Sequence, residues 1–145
     1  MPVIKTVFLS ALALLICACA PLQPKESIER KHYESGEADI GYSQVLRVGK
    51  VLYISGVVST APTLQQQLDE EYTFIRKILG DYGASTDAIV KETIYTLDMA
   101  ALKQAIPARK KYFPNNLYPS ASWVQVKALY DPAILLEIEV EAHLP

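Results

Sequence analysis

The polar and apolar positions of this chain change period along its length, and each period predicts an element. Ile134, Leu136, Ile138, Val140 and Ala142 alternate with Leu135, Glu137, Glu139, Glu141 and His143. Period two predicts a strand with one buried face, because successive side chains of an extended chain point to opposite sides. Leu64, Leu68, Tyr72, Ile75 and Leu79 recur at spacings of four, four, three and four, one apolar stripe along a helix. Thr60 and Pro62 mark the start of that helix and Gly83 its end. Two β-rich runs, Tyr42 to Val48 and Val51 to Ile54, flank Gly49-Lys50, and a glycine in first place suits a type II′ hairpin. Arg30 to Tyr33 is a fainter strand signal upstream.

Ile89 to Leu97, rich in β-branched residues, predicts a further strand, and Asp98 can cap a second helix ending near Phe113. Pro107 interrupts that helix, which is either kinked there or begins late. Pro114 and Pro119 bracket a loop, Trp123 to Leu129 predicts a strand, and Asp131-Pro132 a turn. The order is β-β-β-α-β-α-β-β, an α+β layer with two helices packed on one face of a sheet. The opposite sheet face carries Tyr, Trp, Ser and Glu, a composition often buried against another subunit.

Composition narrows the function. With 145 residues the chain holds one ordinary domain, and 50% apolar residues supply a real core. A net charge of −2 offers no broad attraction to nucleic acid or anionic lipid. Both cysteines, Cys17 and Cys19, lie in the first twenty residues. Disulfides, cysteine zinc sites and cysteine nucleophiles are therefore excluded from the folded domain. The two histidines, His32 and His143, are far apart and have no evident partner, which argues against a serine triad or a multi-histidine metal site.

The first segment reads as an address. Lys5 precedes an apolar run from Val7 to Ala18, about twelve residues, which is too short to span a bilayer but right for a signal peptide. The run ends Ile16-Cys17-Ala18-Cys19 and resembles a bacterial lipobox, with Cys19 as the acylated residue and mature N-terminus. An ordinary signal peptide cut nearby, or an uncleaved anchor, are the alternatives. Residues 1–18 are then a signal peptide, 19–28 a lipidated N-terminus and proline-bearing tether, and 29–145 the domain. The expected location is the periplasmic side of a bacterial membrane. Ala20 after the cysteine weakly favours the outer membrane by analogy.

From Gly41 onward the chain resembles the Rid (YjgF-type) family of small trimeric imine deaminases. Gly41-Tyr42-Ser43-Gln44 is similar to the family's Gly-Pro-Tyr-Ser-Gln run without its proline. Val48-Gly49 and Ile54-Ser55-Gly56 resemble its hairpin and Ser-Gly end, and Gln67 to Gly83 its first helix. Leu97-Asp98-Met99, Tyr112-Phe113, Pro119 to Val124 and Leu136-Glu137-Ile138-Glu139 follow in order. The resemblance implies a chorismate-mutase-like (YjgF-like) α+β unit and a homotrimer assembled through its sheets. It also implies a small-molecule cleft at each subunit interface and no cofactor. In active members an arginine clamps the substrate carboxylate and a glutamate on the last strand orients the hydrolytic water, a division of labour that suits both side chains.

By that resemblance Glu137 is the water-orienting carboxylate, Tyr42 a cleft aromatic, and Ser55 with Gly56 the Ser-Gly end. Pro119-Ser120-Ala121-Ser122 stands where active members read Pro-Ala-Arg-Ser, so Ala121 takes the place of the clamp. Trp123, Ile106 and Val57 replace smaller or more polar residues, implying a more apolar pocket. Losing a charge-assisted bidentate contact lowers binding by roughly 2–5 kcal/mol, which argues against imines derived from amino acids. Arg47 or Arg109 could substitute for the clamp, although an exposed basic residue is the default for each, and Arg109-Lys110-Lys111 reads as a solvated helix face. The competing functions are a repurposed cleft for a small neutral or aromatic compound, an imine or enamine deaminase using another cation, and a non-catalytic envelope scaffold. RNA ranks last, because an acidic domain without a basic groove is a poor partner for it.

Overall fold

A computed structural model describes residues 27–145. The apolar run, the lipobox and Cys19 lie outside the described residues. The chain forms β1 (Ile28–Lys31), a single turn α1 (Glu37–Ile40), β2 (Val45–Val48), β3 (Val51–Val58), α2 (Leu64–Asp81), β4 (Ile89–Thr96), α3 (Met99–Lys110), β5 (Ser120–Gln125) and β6 (Leu136–His143). One six-stranded sheet runs in the order β1-β2-β3-β6-β4-β5, antiparallel except for the parallel pair β4–β5. The predicted α+β order is the observed one, with α1 added.

Local chemistry explains the boundaries. Gly49 has φ +58° while Lys50 is not among the positive-φ residues, as a type II′ turn between Val48 and Val51 requires. Thr63 caps α2 by accepting from the Gln66 amide. Gly83, at φ +72°, closes α2 with bonds from its own amide to Gly80 O and from the Ala84 amide to Leu79 O, a Schellman ending. Asp98 caps α3 by accepting from the Ala100 and Ala101 amides. Of the two alternatives at Pro107, the late start is overturned: α3 begins at Met99 and continues through Pro107 to Lys110.

Leu52, Ile54, Ile94, Leu136, Ile138 and Val140 on the sheet meet Leu68, Tyr72, Ile75, Ile78 and Leu79 on α2, all buried. The period-two alternation of the last strand holds throughout β6.

Three expectations are corrected. The strand placed at Trp123 to Leu129 runs from Ser120 to Gln125, because its ladder to β4 begins at Lys91↔Ser120 and closes with Val126 N–H on Thr96 O. The upstream strand begins at Ile28 and ends at Lys31, set by pairing with Val48 through Val45. Trp123 is not on the open sheet face: it lies opposite Ile94 in register and reaches Glu92 on the helix side.

Candidate functional site

A bulge creates the site. On β3, Ile54 faces Val140 and Val57 faces Ile138, so Ser55 and Gly56 together oppose Glu139. Two residues against one bend the strand and re-aim its side chains. Ser55 is fixed from both sides: its amide donates to Gln44 O (2.9 Å), its hydroxyl to Ser43 O (2.8 Å), and Gln44 Nε2 to Ser55 O (2.8 Å). Gly56 leaves the space that Glu137 fills, since a Cβ there would collide with Glu137 Oε1 and Cδ.

Tyr42 is held in place by Glu37. This carboxylate, 2% exposed, accepts from the amides of Tyr33, Glu34 and Gln44 at 2.8 Å each and lies 3.2 Å from His32 Nδ1. Burial pushes its pKa up, but the three amides and His32 win and hold it below the ordinary carboxylate value. The loop carrying Tyr42 into the cleft is thus wound on one buried anion. His32 therefore has the partner that its sequence context does not reveal, whereas His143 is exposed at the end of β6.

The cleft encloses about 430 Å³ and is lined by Tyr42, Ser55, Gly56, Val58, Tyr130, Glu137 and Glu139, with Ile40 and Ile134. Glu137 is half-buried, no side chain among the described residues donates to it, and burial followed by the Glu139 charge raises its pKa. Tyr95 donates to Glu139 at 3.2 Å. Burial, then Glu37, Glu34 and Glu137, raises the Tyr42 pKa. Among the described residues no lysine or arginine lines the cleft.

Behind it lies Glu71 of α2, 1% exposed, with neither carboxyl oxygen hydrogen-bonded. Burial, reinforced by the charge of Glu137, pushes it up to about 10. The Ser59 amide opposes that shift without completing a hydrogen bond to either oxygen. Glu71 is neutral at physiological pH.

Tyr42, Ser55, Gly56 and Glu137 therefore meet in one cleft; Ala121 and Trp123 do not join them. Both lie on β5, two strands away from β6, in register with Glu92 and Ile94. Glu92, fully buried, there accepts on Oε1 from Arg109 Nη2 (2.8 Å), Arg109 Nε (3.0 Å) and Trp123 Nε1 (3.2 Å), while Tyr72 donates to Oε2. The Arg109 guanidinium stands 4.6 Å from the Phe113 ring centroid and 5.3 Å from that of Trp123. Arg109, which the sequence places on a solvated helix face, is instead 4% exposed. Arg47 donates to Gly49 O on β2. Neither arginine reaches the cleft. Val57 is also removed from it, in the core at 3% exposure, and Ile106 is half-buried on α3.

Sequence reasoning misses Tyr130, Glu139 as a cleft group, and Glu71. Glu71 carries a signal: it sits on the arc of α2 between Leu68 and Ile75, where a charge is out of place.

The sheet, its two helices and the bulged cleft define a class of small α+β proteins. The sequence pattern of the Endoribonuclease L-PSP family matches residues 34–144, and the chain belongs to that family. It is 30% identical over 117 residues to Reactive Intermediate Deaminase A, chloroplastic, of Arabidopsis thaliana, covering 74% of this chain and 60% of that protein's length. Among solved structures, a Mycobacterium tuberculosis member of the YjgF/YER057c/UK114 family superposes with a TM-score of 0.75 at 27% identity, covering 81% of this chain and all of the other. A Rid family protein of unknown function from Yersinia pestis gives a TM-score of 0.67 at 28% identity, over 72% of this chain and 88% of the other.

Proposed function

We propose that the protein binds a small molecule in the Tyr42–Glu137 cleft and hydrolyses its C=N bond. The observation carrying this is Glu137 itself: a half-buried carboxylate with raised pKa, folded over Gly56 and with no donor among the described residues. Such a group is free to accept a hydrogen bond from water and to take its proton. Water adds to the imine carbon as Glu137 takes its proton, and the C=N pair moves to nitrogen. Glu137 returns that proton to the nitrogen, and transfer of the adduct's hydroxyl proton to the same nitrogen breaks the C–N bond, releasing ammonia and leaving a carbonyl. The Arabidopsis relative's name supports a deaminase reading. The proposal includes three copies joined through their open sheet faces, and Cys19 lipidated so that the domain stands on the periplasmic side of a membrane.

A second reading, a non-catalytic binding scaffold of the envelope, is favoured by the arginines. Arg109 is tied to Glu92 and Arg47 to Gly49, so neither serves as a carboxylate clamp in the cleft. The carboxylates and the lack of a basic residue there also make RNA the poorest fit. The test is hydrolysis by the full chain of a panel of imines generated in situ, 2-iminobutanoate among them. Turnover above the buffer blank that disappears in Glu137→Gln is expected. No turnover of any imine by folded protein would replace the enzyme with the scaffold.

A further inference from the structure

We propose that the ligand of this cleft carries a positive charge and no carboxylate: a small primary ammonium or iminium compound with an apolar or aromatic body. This rests on the cleft being the ligand site. Its lining sorts into three kinds of group. Tyr42 and Tyr130 supply aromatic rings, the latter 82% exposed at the mouth. Ile40, Val58 and Ile134 supply apolar surface. Glu137 and Glu139 supply the carboxylates. A cation gains from carboxylates and from the faces of aromatic rings together, and the gain grows as water is excluded.

The opposite assignment fails on the same residues. An anion here would meet two carboxylates with no cation among the described lining residues of the protomer, a juxtaposition that disfavours binding strongly. Of the basic groups nearby, Arg30 lines a separate hollow across Tyr42 and Ser55 and is not part of the cleft wall, and two others are committed elsewhere. Lys91, in the adjoining hollow over β4, donates to Ser122 Oγ at 2.9 Å, and Arg109 is enclosed with Glu92 on the other side of the sheet. Glu137 lacks a donor of its own, and a ligand N–H would provide one. Glu139 already takes Tyr95, so the first contact of the cation falls to Glu137.

Calorimetric titration of the full chain with 2-phenylethylammonium, 2-phenylethanol and 3-phenylpropanoate tests this, since the three share a ring and nearly a length. The ammonium should bind at least about tenfold more tightly than the alcohol, and the carboxylate should not saturate. Glu137→Gln should lose that margin, while Glu141→Gln, on the same strand face outside the cleft, should keep it. Equal or tighter binding of the alcohol or the carboxylate overturns the inference, as does an ammonium preference that survives Glu137→Gln. If none of the three binds yet imines are still hydrolysed, only the charge assignment fails. If hydrolysis is absent as well, the cleft reading fails with it.

Discussion

At the scale of single residues, the cleft depends on a side chain that is absent and a charge that is suppressed. Gly56 is the absent one. Gly56→Ala places a methyl group where Glu137 Oε1 and Cδ now lie, so the carboxylate must swing away. Imine turnover should fall about 100-fold or more, the range for losing a positioned general base, while thermal unfolding shows whether the fold survives. Unchanged turnover in Gly56→Ala would detach Glu137 from the chemistry. Glu71 is the suppressed charge. It ionises near 4.5 in the unfolded chain and only near 10 in the folded one. Between those values unfolding releases a proton, so the stability this group contributes is complete below pH 4.5 and declines as pH rises. The loss is on the order of 3 kcal/mol by neutral pH. In urea titrations Glu71→Gln should match the parent protein near pH 4.5 and exceed it at pH 8. A difference that does not grow with pH would mean Glu71 ionises freely in the folded state.

Elements meet through two buried anions, one at each end of the sheet. Glu37 gathers the segment between β1 and β2: its carboxylate accepts from the amides of Tyr33, Glu34 and Gln44, and its backbone carbonyl from that of Tyr42. Glu92 ties β4 to α3 and β5 through Arg109 and Trp123. Breaking that pair from one side strands a buried charge, so Arg109→Met should destabilise by roughly 3–5 kcal/mol. Converting both partners, Glu92→Leu with Arg109→Met, should recover only part of the loss, because the buried charge is gone but the Tyr72 hydroxyl and Trp123 Nε1 lose their acceptor. Denaturant titration of the three proteins checks this, and additive losses would contradict a direct pairing. These contacts mark the limit of what the sequence reveals. The stripe of α2 and the alternation of β6 are local and periodic, hence legible from the order of residues alone. Glu92 and Arg109 lie seventeen residues apart and bury each other only once β4 and α3 pack, so Arg109 reads as a surface cation in the sequence. The bounds of β5 escape the sequence for a related reason. Ser120–Gln125 is an edge with one partner and mostly exposed side chains, so it has no buried face to impose a period.

For the whole molecule, the two helices cover one sheet face and the other stays open, carrying Tyr53, Tyr95, Glu137, Glu139 and Glu141. Four of the residues the family resemblance names, Tyr42, Ser55, Gly56 and Glu137, converge because the β3 bulge and the Glu37 loop bring them to one cleft beside that face. Ala121 and Trp123 lie two strands away within the same protomer, so they reach a cleft only if a second copy supplies it. The open face and this separation both support an assembly completed between subunits, and the central claim concerns what its clefts do. The most direct measurement is the rate at which the full chain and its Glu137→Gln variant hydrolyse imines with and without a carboxylate. Turnover by the full chain is expected, greater for the imine without a carboxylate, and none above the blank for Glu137→Gln. Equal rates for parent and variant, or a rate no greater than the blank from folded parent protein, would contradict the central claim.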